Sequence, residues 1–186
     1  MTPMIRPYII RLKPRHFDYA DGTGLIRRGI ALREGKKHTN GWQPTFEEAL
    51  WKNRQGARCE LAAKLWLDQR VSRPVEWNEL DVDVKWDLAG FIDVKGVEEA
   101  HHKLTVQKDA PREFAYLLVD SWRHPDYAIV GWMWGHEAKR DEWWENPRHG
   151  PAFYPPRDNP PMRDCEELCE EVQKRELIRG QTAIAK

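Results

Sequence analysis

The spacing of apolar and polar residues changes along the chain, and these changes divide it into predicted secondary-structure elements. Residues 5–13 and 24–33 alternate with a period of two, which predicts two strands, with the turn-rich segment 18–24 between them. Residues 46–70 carry apolar side chains at helical spacing, which predicts a helix that buries one face. Gly56 either divides this helix in two or marks a weak point within it.

A cluster of short strands is predicted in the following part of the chain. The predicted strands are the segments DVDVKW, GFIDVK, KLTVQ, FAYLLVDS and YAIVGWMWG. The run FAYLLV is apolar throughout, which predicts a central strand that is covered on both faces. A short helix is expected in HEAKRDEWW, and a proline-rich segment then leads to a final helix that is expected to stop at Gly180.

The order of helix, strand cluster and helix predicts the fold class, an α/β or α+β domain whose mixed β-sheet is flanked by helices. A chain of 186 residues is most simply one domain. Within it we distinguish an N-terminal strand extension (1–43), a core (44–145), and a proline-rich segment with a C-terminal helix (146–186).

Charged residues balance over the whole chain but not along it. Thirty Lys and Arg stand against thirty Asp and Glu, which argues against a nonspecific DNA-coating protein. Residues 1–40 nevertheless hold nine basic residues and three acids. The excess lies in residues 25–38, whose candidates for phosphate contacts are Arg27, Arg28, Lys36 and Lys37. A solvated strand and loop explains the same charges equally well.

The cysteines and the apolar runs bear on the compartment. The chain has three cysteines, an odd number without the pattern of a secreted disulfide protein: Cys59, Cys165 and Cys169. The two in CEELC have no second pair of ligands nearby, which argues against a zinc site. The N-terminal apolar run is too short for a signal peptide, and no stretch is long enough to span a bilayer. We therefore expect reduced cysteines and a cytoplasmic protein with no membrane partner.

The segment WDLAGFIDVKG, residues 86–96, carries the candidate chemistry. Asp93 and Lys95 are two positions apart in a predicted strand, so their side chains share a face. A tight hairpin with its bend at Gly90 would bring Asp87 beside Asp93. Two carboxylates with waters and a substrate phosphate are a usual arrangement for Mg²⁺, and such a cation would explain why two acids occupy a half-buried hairpin.

Two alternatives remain open around this segment. If the turn at Gly90 does not form, Asp83 or Asp81 could replace Asp87 as the first ligand. Glu60 lies at the edge of the apolar face of the predicted helix and is a candidate third carboxylate. Its periodicity alone favours an ion pair with Lys64, one helical turn further along.

A helix carrying Glu, then an Asp, then Asp-x-Lys on adjacent strands resembles the PD-(D/E)xK nuclease superfamily, over residues 56–135. GARCELAAKLWL resembles its first-helix motif, WDLAGFIDVKG its metal-binding hairpin, and the next two strands its core. The combination of FIDVKG with VGWMWGHEAKRDEWW is similar to small phage and bacterial proteins of this kind. Trp86 stands where the first motif has its Pro.

This resemblance implies a restriction-endonuclease-like core and a role for each matching residue. Asp87, Asp93 and Glu60 would hold Mg²⁺ or Mn²⁺, and Lys95 would be the catalytic lysine. The implied function is metal-dependent hydrolysis of phosphodiester bonds in nucleic acid, with DNA as the expected partner and a homodimer left open. The alternative is a non-catalytic module of the same fold that binds nucleic acid or protein.

Further polar residues follow the hairpin. Lys103, Gln107 and Lys108 lie on the next predicted strand, where the resemblance implies contacts with phosphate; an ordinary sheet edge would also explain them. His101 and His102 would face opposite sides of a strand, so we expect surface histidines that do not chelate one metal ion together.

Overall fold

The computed structural model describes residues 7–35, 44–80, 86–99, 101–146, 151–157 and 162–184. These residues form four α-helices, seven strands and a 3-10 turn. In chain order the elements are β1 (Tyr8–Arg11), α1 (Pro14–Arg33), α2 (Phe46–Asp68), β2 (Ile92–Val97), β3 (Val106–Gln107), β4 (Ala115–Arg123), β5 (Asp126–Trp134), α3 (Gly135–Ala138), a 3-10 turn (Asp141–Trp143), β6 (Trp144–Glu145), β7 (Ala152–Phe153) and α4 (Cys165–Ile184).

The central sheet has the strand order β1-β5-β4-β2 and is mixed. Strand β2 pairs with β4 in parallel, whereas β4 with β5 and β5 with β1 are antiparallel. A second, smaller sheet has the order β3-β7-β6. The mixed sheet with its flanking helices confirms the predicted α/β (α+β) fold class.

Strand β4 is the buried centre of the sheet, as its uninterrupted apolar sequence predicts. Residues 115–121 are all buried, because β2 and β5 flank this strand and both of its faces are covered. On one face Leu117 and Val119 join the core built around Trp66 of α2. On the other face Tyr116 and Leu118 pack with residues of the smaller sheet. Helix α2 and the smaller sheet thus cover opposite sides of the central sheet.

Helix α1 corrects the prediction for the N-terminal part. The predicted strand 24–33 and the turn-rich segment 18–24 both lie within this one helix. The face that α1 buries consists of Ala20, Thr23, Gly24 and Arg28, which are small or charged. Because none of these residues is large and apolar, the hydropathy pattern did not indicate a helix. Packing against α2 stabilises the helix instead.

Other boundaries also differ from the predictions. Helix α2 starts at a capping box formed by Thr45 and Glu48, and it runs through Gly56 without interruption. Helix α4 continues past Gly180 to Ile184, so the predicted stop is wrong. KLTVQ contributes only β3, and HEAKRDEWW forms α3 followed by the 3-10 turn. The predicted strand DVDVKW falls mainly on residues 81–85, outside the described residues.

Within the described residues no helix is both long and apolar enough to cross a membrane. The three cysteines are free and buried. Cys59 packs behind β2, where a Cβ added to Gly96 would lie 2.6 Å from its sulfur. Cys165 and Cys169 lie on α4 and join the main core.

The close crossing of α1 and α2 at Gly24 leads to a stability prediction. A Cβ on Gly24 would lie 2.7 Å from the Cα atom of Arg54, so Gly24→Ala must push the helices apart. We expect it to lower the free energy of unfolding by about 1–3 kcal/mol in urea titrations. Gly29→Ala is the matched control, because that Cβ would meet open space on the same helix. Gly29→Ala should raise the free energy of unfolding by up to about 1 kcal/mol. Equal changes for Gly24→Ala and Gly29→Ala would contradict the close crossing of the helices.

Candidate active site

A tight hairpin precedes β2 and brings its two aspartates together. Leu88 and Ile92 pair through two backbone hydrogen bonds, each of 3.0 Å. Between them Ala89 and Gly90 both have positive φ angles, 53° and 77°. Two successive positive φ angles are the geometry of the tight turns that connect hairpin strands. The predicted hairpin with Gly90 at its bend is confirmed. Asp81 and Asp83, the alternatives to Asp87, lie outside the described residues.

The side chains of Asp87, Asp93 and Lys95 form one connected group. Lys95 Nζ lies 2.7 Å from Asp93 Oδ1, and a side-chain hydrogen bond with Asp87 acts to lower the pKa of Asp93. The backbone N–H of Val94 donates to Asp87 Oδ2 at 2.7 Å, which fixes the orientation of that carboxyl group. The side chain of Lys95 remains 31% exposed, so solvent reaches the group at the lysine.

Negative charge is crowded at this site. Burial, and then the charges of Glu60 and Asp93, raise the pKa of Asp87 well above its ordinary value. Burial also raises the pKa of Asp93, although the Lys95 ammonium opposes the shift. Burial lowers the pKa of Lys95, but the neighbouring carboxylates outweigh it and raise that pKa overall. The charges of Glu60, Asp87 and Asp93 repel one another, and an added cation would relieve that repulsion.

Glu60 contributes charge to this group, but both of its oxygens have other partners. Arg27 of α1 donates from Nη1 to Oε1 and from Nη2 to Oε2, each at 2.7 Å. The indole N–H of Trp77 donates to Oε2 at 2.8 Å. The predicted alternative, an ion pair of Glu60 with Lys64, is wrong because Lys64 pairs with Asp68.

Asp87 and Asp93 therefore fit a hard cation better than Glu60 does. Among the described residues, no set that includes Glu60, Asp87 and Asp93 has its ligand atoms all within 4.8 Å. In this structure Glu60 is a partner of Arg27, not the third member of a three-carboxylate ligand set. The donor oxygens suitable for Mg²⁺ are those of the two aspartates, where Lys95 lies 2.7 Å from Asp93.

Arg27 and Arg28 do not lie on a phosphate-contacting loop, since both belong to α1. The side chain of Arg27 is 13% exposed and forms an ion pair with Glu60. Arg28 is 8% exposed, with its guanidinium 5.8 Å from the centre of the Phe46 ring. The other two basic candidates, Lys36 and Lys37, lie outside the described residues.

The polar candidates after the hairpin belong to a different region. Lys103 pairs with Glu145 at 2.8 Å, and Lys108 Nζ lies 5.9 Å from the centre of the Trp144 ring. Lys103 and Gln107 line a cleft of about 450 Å³ whose lining does not include the aspartates or Lys95. The structure therefore does not bring these residues together with the carboxylate group.

The sequence predicted Arg27 only as a candidate for phosphate contacts, and it did not predict that Arg27 or Trp77 would bind Glu60. Arg27 is 33 positions from Glu60, and no local motif connects them. The helical spacing of Ala20 and Gly24 could have placed Arg27 on the edge of α1 that meets α2, had the helix been recognised.

Comparisons with family models, with curated proteins and with solved structures find no significant match to this chain. The likeness of residues 56–135 to the PD-(D/E)xK superfamily therefore stays a prediction.

Proposed function

We propose that the protein is a Mg²⁺- or Mn²⁺-dependent nuclease of the PD-(D/E)xK, restriction-endonuclease-like class, which hydrolyses phosphodiester bonds in DNA. The observation that carries this proposal is the hairpin, which holds Asp87 against Asp93 with Lys95 2.7 Å from Asp93. Paired carboxylates beside a lysine are suited to metal-assisted attack on a phosphate.

Asp87 and Asp93 are the residues that would hold the metal. Their oxygens are the hard donors that Mg²⁺ prefers, and the raised pKa of Asp87 reflects repulsion from Glu60 and Asp93 as well as burial. A bound dication would supply positive charge to a phosphate and lower the pKa of a bound water.

Lys95 acts at the exposed side of this group. Its ammonium is positioned by Asp93 and retains donors that can bind a water or a phosphate oxygen. A fixed cation there would orient the attacking water and stabilise negative charge that develops on the phosphate. The side chain of Lys95 is more exposed than that of its partner Asp93.

Arg27 and Glu60 support the site as a positioning pair. Besides Glu60, Arg27 donates to the backbone carbonyls of Asn78 and Glu79, each at 2.6 Å. The N–H of Asn78 in turn donates to the carbonyl of Asp87 at 2.8 Å. The pair therefore connects α1 and α2 to the backbone of the residue that begins the hairpin, and so holds Asp87 in place.

A non-catalytic binding module on the same fold is the second candidate. The observation that favours it is the engagement of both Glu60 oxygens by Arg27, which removes one of the three carboxylates implied by the resemblance. In such a module the acids would be structural, and the buried ion pair would serve only to connect the helices.

Metal binding and cleavage together test the proposal. We expect Mn²⁺ to raise the melting temperature of the wild-type protein, because binding to the folded state alone stabilises it. The same preparation should cut members of a panel of labelled DNA and RNA structures only when Mg²⁺ or Mn²⁺ is added. Asp93→Asn should lose both effects.

The matched control is Asp68→Asn, which removes an acid that pairs with Lys64 away from the site. It should keep the metal-induced shift and the cleavage. The binding module would be favoured if neither metal changes the melting temperature of the wild-type protein and if the protein binds nucleic acid without cutting it.

A further inference from the structure

Three metal-binding side chains converge on the turn that follows β2. Nε2 of His101 and Nε2 of His102 lie 3.3 and 3.8 Å from Oε2 of Glu99. The two imidazole rings are 4.8 Å apart between their centres, and each residue offers a ligand atom within 4.8 Å of the others. The sequence-based expectation that the histidines face opposite sides of a strand is wrong, because His101 lies in a turn and His102 lies outside the strands.

The backbone of this turn is held on both sides. Before it, Glu98 Oε1 accepts hydrogen bonds from Lys52 at 3.1 Å and from Trp51 at 3.3 Å, which join the turn to α2. Across it, the N–H of His102 donates to the carbonyl of Glu99 at 3.0 Å. A turn fixed in this way presents its side chains with a reduced loss of conformational entropy on binding.

A buried ion pair holds the far end of the same turn. Arg157 Nε donates to the carbonyl of His102 at 2.7 Å. The remaining guanidinium nitrogens of Arg157 bind both oxygens of Asp120 at 2.9 and 2.8 Å, and Asp120 is a buried residue of the central strand β4. The histidine backbone is thereby connected to the most buried element of the fold.

We propose that Glu99, His101 and His102 form a surface site for a divalent transition-metal ion of the zinc, nickel or copper type. Two imidazoles and one carboxylate are the donors that these ions prefer, and the exposure of all three residues allows water to complete the coordination. Mg²⁺ favours oxygen ligands and octahedral geometry, so this site and the aspartate pair select different ions.

The location of this site suggests what the ion would do. His101 and His102 line the cleft of about 450 Å³ together with Lys52, Lys103 and Gln107. In that cleft Lys52 and Lys103 are paired with Glu98 and Glu145, which offset their charges. A bound dication would change this balance and make the cleft attractive to an anionic group.

Calorimetric titration of untagged protein with Zn²⁺ tests the site, with Co²⁺ absorption as the readout of coordination by nitrogen. The wild-type protein should bind one Zn²⁺ ion in a saturable manner, and excess Mg²⁺ should not displace it. The double substitution His101→Ala with His102→Ala should weaken binding on the order of tenfold or more, with Glu99→Gln weakening it less. His136→Ala, which removes an exposed histidine elsewhere, should leave binding unchanged.

Two outcomes would overturn this site: no saturable Zn²⁺ binding by the wild-type protein, or equal binding by the His101 and His102 double variant. Asp93→Asn separates the result from the nuclease proposal, since it should keep Zn²⁺ binding even where it loses the response to Mg²⁺. Loss of Zn²⁺ binding in Asp93→Asn, but not in the histidine variant, would assign the ion to the aspartate pair instead.

Discussion

Replacing Lys95 by alanine is expected to reduce Mg²⁺-dependent cleavage of DNA by about a thousandfold or more, while the protein remains folded. Among the residues that the structure describes, the Lys95 ammonium is the cation that pairs with Asp93, at 2.7 Å, and its side chain is partly exposed. Without it, neither the attacking water nor the charge on the phosphate has a fixed donor. The measurement is the single-turnover rate of cleavage at saturating metal.

Two variants make this result interpretable. Lys95→Met keeps most of the side-chain volume and should be as inactive as Lys95→Ala, which separates loss of charge from loss of packing. Lys64→Ala removes a lysine that pairs with Asp68 on α2, and it should cleave at the wild-type rate. Undiminished cleavage by folded Lys95→Met would rule out the role assigned to Lys95.

Replacing Arg27 by methionine should lower the free energy of unfolding by about 3–5 kcal/mol, the largest stability effect that we expect in this protein. Glu60 is 7% exposed, and among the described residues the substitution would leave its buried carboxylate with Trp77 alone as a donor. The Asn78 and Glu79 carbonyls would lose their donor as well. Urea denaturation followed by tryptophan fluorescence or circular dichroism measures the change.

The double variant Arg27→Met with Glu60→Gln identifies the cause. A neutral amide no longer requires a cation and can still accept the Trp77 hydrogen bond, so the double variant should regain much of the lost stability. Arg11→Met is the control, because its ion pair with Asp126 is largely exposed at the arginine and should matter little. Additive losses in the double variant would show that the buried charge is not what destabilises Arg27→Met.

Local patterns accounted for the elements with clear periodicity. The apolar spacing of α2, the continuous apolar run of β4 and the hairpin with its bend at Gly90 all appear as predicted. In each case the signal lies within a few residues of the feature, because turn geometry and one-sided burial depend on neighbours in sequence. The contact between Asp87 and Asp93 follows from the hairpin alone.

Helix α1 shows where such patterns fail. Its alternating apolar and basic residues indicated a strand, but its buried face is a row of small residues and Arg28 that fits against α2. The close approach at Gly24 has no equivalent in hydropathy, since a missing side chain carries no apolar signal. The sequence likewise did not indicate that His101 and His102 would lie side by side outside a strand.

The sequence by itself determined the fold class, the hairpin, and the face shared by Asp93 and Lys95. Only the tertiary structure decided that Glu60 pairs with Arg27 and not with Lys64, and that Glu99 meets both histidines. Periodicity reports which face of an element is buried, whereas the partner of a charged side chain depends on which distant segment packs nearby. Arg27 reaches Glu60 because two helices cross at a glycine, and no single segment encodes that contact.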